Sequence, residues 1–318
     1  MYAICIEASH LMGNGHLFRA MNFAMFLKEC GHDVLFLIND NEVVIRTLKY
    51  SGFNYVVVEL SDYHSNWEGE LIDQYDIAVW INDRLDTKLD HSKKVKGKNT
   101  FLVTFDDLGS GAVLADIHVA ALIGNNASDL HGKVVLRGIE YLILNKEIDK
   151  YKRARTVAEK YIVTLGGSDT YGVTITVMNI LRQRYLPATI ILGPSFQHEA
   201  ELRDVMSDLF TIKRLVPSLM AEFYQHDIAV TGGGITSFEA CASGLPCIVI
   251  ANEIHEIPNA QLLHDLGVSV FAGHYKEIDA AVFGRCLDVH QMSKCALDIL
   301  STNAADKIYE VMYKCLRK

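Results

Sequence analysis

The stretch Ile228–Ile250, IAVTGGGITSFEACASGLPCIVI, decides the fold class. Its first apolar run, Ile228–Val230, feeds three consecutive glycines, Gly232-Gly233-Gly234, and a helix-compatible segment follows. A second apolar run, Pro246–Ile250, then restarts the pattern. A short buried strand, a helix and another short buried strand read as a parallel pair joined by a crossover helix.

Outward from this unit the same alternation fills both halves of the 318-residue chain. In the second half Tyr161–Leu165, Thr189–Leu192, Phe210–Arg214 and Val268–Phe271 read as further strands, with helices between them. In the first half the strands are Ala3–Ile6, Asp33–Ile38, Tyr55–Val58, Ile77–Ile81, Thr100–Thr104 and His118–Leu122. Phe18, Met21, Met25 and the pair Phe26/Leu27 recur at helical spacing between His16 and Cys30, and Gly31 supplies the stop. The alternation breaks over Asn145–Lys160, a charged segment without a strand that reads as a linker. All five prolines fall after it, at turn and helix-start positions. The expected architecture is α/β, with two Rossmann-like domains facing a central cleft. Residues 1–150 form the first domain and 151–302 the second, and a terminal amphipathic helix lies in 303–318.

Composition narrows the function. With 39 acidic and 30 basic side chains the formal charge is −9, and 22% of residues are charged. This is an ordinary globular composition, without the broad basic face of a nucleic-acid binder. The basic cluster Lys88–Lys98, KLDHSKKVKGK, has no interleaved aromatics and reads as a solvated loop. Seven scattered cysteines without a C-x-x-C pair form neither a disulfide framework nor a zinc site, which points to a reducing cytoplasm. No apolar run reaches the roughly 18 residues of a membrane span. The first ten residues, MYAICIEASH, lack the basic region of a signal peptide and read as a first strand. No nucleic acid, membrane insertion, metal or cofactor is expected, and the oligomeric state is left open.

Three constellations can carry chemistry. The first is Gly13-Asn14-Gly15-His16-x-x-Arg19, between the first strand and the first helix. Phe18 occupies the third glycine position of a dinucleotide fingerprint, and no G-K-[ST] follows, so neither a dinucleotide site nor a Walker loop is complete. His16 at a helix start meets the positive end of the dipole, which favours a neutral ring fit to act as a base; without the other motifs it reads better as a cap or as an anion contact through its ring. The second constellation is Gly166-Gly167-Ser168-Asp169 and the third Gly232-Gly233-Gly234-Ile235-Thr236-Ser237-x-Glu239. Each follows a strand and opens a helix, so each can offer amide N–H groups and hydroxyls to a diphosphate. Glu239, on the second turn of its helix, can accept from both hydroxyls of a ribose.

In the order of these motifs the chain resembles the nucleotide-sugar hydrolases of pseudaminic acid biosynthesis. Those enzymes remove UDP from UDP-2,4-diacetamido-2,4,6-trideoxy-β-L-altropyranose and group with spore-coat polysaccharide proteins. The resemblance rests on G-x-G-H-x-x-R at Gly13 to Arg19, Phe105-Asp106-Asp107-Leu108, a degraded tyrosine stretch from Gly138 to Ile148, and Leu165 to Asp169. A last block runs from Gly233 through Glu239 to Gly244-Leu245-Pro246. The second-half block is also similar to the UDP-N-acetylglucosamine transferase of peptidoglycan synthesis. Both families carry a glycosyltransferase-B fold, whose last helix packs back across the first domain. The resemblance implies a UDP-sugar substrate, a ribose held by Glu239, a diphosphate held by Gly233 to Ser237, uracil near the Val216 backbone, and His16 as base. Gly13, Gly15, Arg19, Tyr141, Gly167, Ser168 and Asp169 complete the candidate substrate contacts, together with Gly233, Gly234, Thr236, Ser237, His255 and Glu256. The family's Asn-Gln pair is replaced here by His255 and Glu256, its Arg-Pro by Asn145-Lys146, and its D-G-x-G-A-x-R-I signature by the run from Thr302 to Ile308.

The function expected from these residues is hydrolysis of a UDP-linked 2,4-diacetamido-2,4,6-trideoxy hexose by water attack at the anomeric carbon, with inversion. An inverting glycosyltransferase of the same architecture is the alternative, with an acceptor hydroxyl in place of water. A non-catalytic nucleotide-sugar binder is a third reading, and it would have no need of His16.

Overall fold

The computed structural model describes residues 1–7, 15–122, 130–214 and 216–317. Contacts divide the chain into two compact units. Unit 1 comprises Met1–Ile143 and Asn303–Lys318; unit 2 is Leu144–Thr302.

Unit 1 is built on strands β1 (Tyr2–Ile6), β2 (Val34–Ile38), β3 (Asn54–Val57), β4 (Val79–Asp83), β5 (Phe101–Phe105), β6 (Ile117–Ala120) and β7 (Val134–Arg137). They lie in the order β3-β2-β1-β4-β5-β6-β7, and every pair is parallel. Its helices are α1 (Gly15–Glu29), α2 (Glu42–Tyr50), α3 (Trp67–Tyr75), α4 (Leu89–Gly97) and, from the end of the chain, α12 (Ala304–Leu316). Alternate residues of β1 serve the two faces of the sheet. Tyr2, Ile4 and Ile6 pack with α1, α2 and α12, while Ala3 and Cys5 pack with the α3 and α4 side. On α12, Ile308 and Met312 are fully buried in the first of these cores.

Unit 2 repeats the plan. Its strands are β8 (Tyr161–Thr164), β9 (Ala188–Leu192), β10 (Phe210–Arg214), β11 (Ile228–Gly232), β12 (Cys247–Ala251) and β13 (Ser269–His274). The order is β10-β9-β8-β11-β12-β13, again parallel throughout. The connecting helices are α5 (Ile148–Tyr151), α6 (Val173–Gln183), α7 (Glu199–Val205), α8 (Leu219–Tyr224), α9 (Ile235–Ala242), α10 (Ile257–Asp265) and α11 (Val289–Ile299). Val173, Val177 and Leu181 of α6 and Leu202 and Val205 of α7 fill the core over one face. In both sheets the first strand of the unit lies beside the fourth. The strand order therefore reverses between β1 and β4, and between β8 and β11. Ligands of open α/β sheets bind in that crevice, at the carboxyl ends of the strands.

Two sequence expectations need correction. The basic cluster Lys88–Lys98 is a helix, not a solvated loop, because His91, Ser92 and Val95 form a buried stripe along it. Its lysines are engaged: Lys94 reaches the Tyr63 and Ser65 carbonyls, Lys96 binds Asp116 at 2.6 Å, and Lys98 pairs with Asp73. Strand β7 went unread, being only four residues long at the edge of its sheet.

Candidate functional site

At the switch point of unit 1, α1 begins with Gly15 and carries His16 and Arg19 on consecutive turns. Asp83 ends β4 and is paired in register with Ile6 at the end of β1. The register brings the Asp83 carboxylate to the start of α1. His16 Nδ1 lies 2.6 Å from Asp83 Oδ1, and Arg19 Nε donates to Asp83 Oδ2 at 2.9 Å. Arg19 Nη2 also reaches Asp83 Oδ1, at 2.5 Å, and Nη1 donates to Asp106. Asp106 in turn accepts from the Leu122 amide at 2.8 Å.

Burial works against the charge on Asp83, but the Arg19 guanidinium and His16 outweigh it and hold the carboxyl at about 2. The same exchange raises Arg19, against burial, through Asp83 and Asp106. An ionised carboxylate only accepts, so the proton between His16 and Asp83 sits on Nδ1. The ring is partly exposed, at 18%, whereas Arg19 and Asp83 are each 2% exposed. The arrangement can orient a neutral imidazole and stabilise it once it has taken a proton.

Unit 2 presents a different chemistry. In the turn after β11, Gly233 donates its amide to Glu256 Oε2 at 3.2 Å, and the Asn252 amide donates to the same oxygen at 2.8 Å. A Cβ at Gly233 would come within 2.8 Å of the Glu256 Cβ, so only glycine admits this approach. Ser237, buried, turns its hydroxyl back to the Gly234 carbonyl at 2.7 Å. Glu239 is partly buried and accepts from the Asn145 amide at 3.3 Å. Desolvation pushes its carboxyl up to about 7, and the Asn145 N–H only partly opposes this. Beside Asn145, Glu147 Oε2 accepts from the hydroxyl of Ser218, the cap of α8. The segment at 145–147 is thereby tied to the loop that follows Val216.

The turn after β8 is already capped. Asp169, at φ 44°, accepts the Val173 amide at 2.8 Å and the Thr174 amide at 2.9 Å, so its carboxylate serves the start of α6. Ser168 is bonded to Thr170 at 3.0 Å on the surface. Gly167 gives its carbonyl to the Ser195 amide at 2.9 Å. Further along the carboxyl edge of the same sheet, the rings of Tyr171 and Tyr275 stack at 4.0 Å, and the Tyr171 hydroxyl donates to Glu253 at 2.8 Å.

Of the residues singled out in the sequence, His16 and Arg19 come together in unit 1, with Gly15 at the helix start. Gly233, Gly234, Thr236, Ser237, Glu239 and Glu256 lie around the β11–α9 turn in unit 2. Gly13 lies outside the described residues. Tyr141 packs against the core of unit 1, in a turn that α12 contacts. His255 is exposed on the short turn before α10. Sequence reasoning missed Asp83, Asn145 and the tyrosine stack. For Asp83 the available signal was an acid closing an apolar run, VWIND, at a predicted strand end. Among the described residues no cluster of three His, Cys, Asp or Glu side chains is placed to hold a metal ion. Among them, too, no helix is long and apolar enough to cross a membrane.

No protein-family model matches the chain. It is similar to the uncharacterized protein MJ1062 of Methanocaldococcus jannaschii, 28% identical over 269 residues that cover 78% of this chain and 55% of that protein. It is also similar to the spore coat polysaccharide biosynthesis protein SpsG of Bacillus subtilis, 22% identical over 202 residues, 61% of this chain and 57% of the other. The chain thus spans little more than half the length of these relatives. Among solved structures it is similar to MurG of Acinetobacter baumannii, with a TM-score of 0.70, 15% identity and 98% and 99% of the two chains covered. It is similar as well to Phytolacca americana UGT2 in complex with UDP-2fluoro-glucose and pterostilbene, with a TM-score of 0.68, 14% identity and 99% and 100% coverage. Likeness at these identities shows the fold, which is glycosyltransferase-B-like: two Rossmann-like α/β units, each built on a parallel sheet.

Proposed function

We propose that the chain is a nucleotide-sugar-dependent inverting glycosyltransferase. Unit 2 would bind the nucleoside diphosphate and unit 1 would supply the base. The observation that carries the reading is the His16–Asp83–Arg19 constellation at a sheet switch point: an imidazole held through Nδ1 by a carboxylate that two partners keep ionised. In the reaction Nε2 takes the proton of an acceptor hydroxyl as its oxygen attacks the anomeric carbon. The C1–O bond to the diphosphate breaks, and the nucleotide leaves with the electron pair. The ionised Glu239 would accept from the ribose hydroxyls, and the β11–α9 turn would face the diphosphate.

The glycosyltransferases among the similar structures favour transfer over hydrolysis. Hydrolysis of the UDP-linked diacetamido sugar is the second reading. It is favoured by the order of the G-H-x-x-R, G-G-S-D and glycine-glutamate motifs and by the similarity to the spore-coat protein.

The test measures UDP release from UDP-N-acetylglucosamine and from a UDP-2,4-diacetamido sugar, with and without an added acceptor mixture. Release that requires acceptor supports transfer; rapid release in water alone supports hydrolysis. In either case His16→Ala is expected to lower kcat by about 10²–10⁴-fold. Asp83→Asn is expected to follow the same direction, by releasing the ring from its tautomer. Activity within threefold of wild type in His16→Ala would overturn the base assignment.

A further inference from the structure

At the amino-terminal end of the unit 2 sheet, away from the glycine turns, lies a cavity of about 440 Å³. Arg153, Lys160 and Lys213 line it, together with Thr189, Tyr224 and His226. No carboxylate is among its lining residues, in a chain whose formal charge is −9. The acids that serve these cations hold them in place. Glu222 takes Lys213 Nζ through both oxygens, at 2.8 and 3.0 Å, and Asp227 takes Arg153 Nη2 at 3.2 Å.

Arg153 is fixed further by the Tyr224 and His226 carbonyls, at 2.8 and 3.0 Å, and lies over the Tyr224 ring at 5.6 Å. These bonds use Nε and Nη2 and spare Nη1. Lys160 is exposed, and among the described residues no carboxylate pairs with its ammonium as Glu222 and Asp227 pair with the other two. His226 Nδ1 donates to the Glu222 carbonyl at 2.7 Å, so Nε2 accepts from the Thr189 hydroxyl at 2.9 Å and the ring stays neutral. The wall of this open groove therefore offers fixed cationic donors and an aromatic face.

We infer that this cavity binds a phosphomonoester, its phosphoryl group held by Arg153, Lys160 and Lys213 and its organic part lying along Tyr224. The site is separate from the nucleotide turn and does not depend on the function proposed above.

The test is calorimetric titration of the whole chain with inorganic phosphate and with glucose 1-phosphate, in the presence of saturating UDP to fill any nucleotide site. One saturable event is expected, tighter for glucose 1-phosphate than for phosphate. Lys160→Met is expected to weaken it about tenfold, the loss of one charge-assisted contact. The double variant Lys213→Gln/Glu222→Gln keeps the pair hydrogen-bonded while removing its charges, and is expected to weaken binding as well. Equal affinity for the two ligands would reassign the site to free phosphate and overturn the phosphomonoester. Absence of saturable binding, or binding that Lys160→Met leaves unchanged, would overturn the site itself. Failure of UDP to bind anywhere would count against the proposed function only, because the Lys160 effect is read on the other ligand.

Discussion

In unit 1 a histidine, an arginine and two aspartates close on one another across the sheet. In unit 2 the β11–α9 region sets carboxylates against backbone amides instead: Glu256 accepts those of Gly233 and Asn252, and Glu239 accepts only that of Asn145. Both places are switch points of the same strand order, so the scaffold is not what differs. What differs is compensation. Asp83 loses its water and gains a guanidinium and an imidazole, and it is driven down to about 2. Glu239 loses its water and gains a single N–H at 3.3 Å, and it is driven up to about 7. Burial of a charge is decided by its partners. Asp83 is therefore held ionised across the physiological range, whereas Glu239 is poised to change state within it.

The largest effect that can break this comparison comes from removing the compensation. Arg19→Met leaves the buried Asp83 and Asp106 facing each other without their shared cation. Loss of one member of such a buried set costs about 3–5 kcal/mol, and urea denaturation at pH 7 is expected to show a loss of that size. The same experiment at pH 2 to 3 sharpens it. A carboxylate held down by its partners stabilises the fold above its unfolded pKa, and that stabilisation is lost as pH falls through the folded value. The gap between wild type and variant should accordingly narrow towards pH 2. A loss under about 1 kcal/mol at pH 7 would mean that the ion cluster is no foundation of unit 1.

The next effect belongs to Glu239, and its sign is opposite. Its folded pKa stands above the usual glutamate range, so the unfolded chain releases this proton first. Stability from this group is fully present below about pH 4.5, is lost as pH rises to about 7, and changes no further above that. The span corresponds to about 3 kcal/mol. Comparing the unfolding free energies of wild type and Glu239→Gln at pH 5 and pH 8 isolates the effect. The wild type is expected to lose about 2.5 kcal/mol more than the variant between these values, and an equal pH response would remove the contrast between the two sites. Ribose hydroxyls would supply the donors that the ionised carboxylate lacks, so UDP should bind more tightly at pH 8 than at pH 6.

Much of this was legible in the sequence, and the part that was not has a common cause. Strand–helix alternation is a local signal, and it placed the cores of β1 to β6 and of all the unit 2 strands within a few residues of where they lie. His16 and Glu239, whose roles are proposed above, stand out in the sequence because each sits within a few residues of a glycine turn. Asp83 does not, since its value depends on β4 lying next to β1 rather than next to β3, and strand order is a long-range property. An acid four residues ahead of a helical run can be a cap as well as a substrate contact, and Asp169 accepts the Val173 and Thr174 amides. The Lys88–Lys98 segment misled in another way. Its charge was plain to see, but the buried stripe of His91, Ser92 and Val95 is too polar to register as an amphipathic pattern.

The smallest effect concerns Glu256, which makes the β11–α9 turn less simply electropositive than its glycines suggest. Its Oε2 accepts the Gly233 and Asn252 amides, and it brings a negative charge to the turn that is proposed to face a diphosphate. A diphosphate there would compete for the Gly233 amide and would be repelled by the carboxylate at short range. Glu256→Gln keeps an oxygen for the two amides and removes the charge. UDP is expected to bind this variant about tenfold more tightly, a difference of about 1.4 kcal/mol, with a weaker salt dependence of the remaining affinity. Uridine, which carries no phosphate, should bind wild type and variant alike. If UDP binds the variant more weakly while uridine is unchanged, Glu256 supports the phosphate side of the site through its geometry, and the contrast drawn between a charge-saturated unit 1 and an open unit 2 fails at this turn. If both ligands gain equally, the carboxylate acts on the shape of the turn rather than on the charge of what binds there.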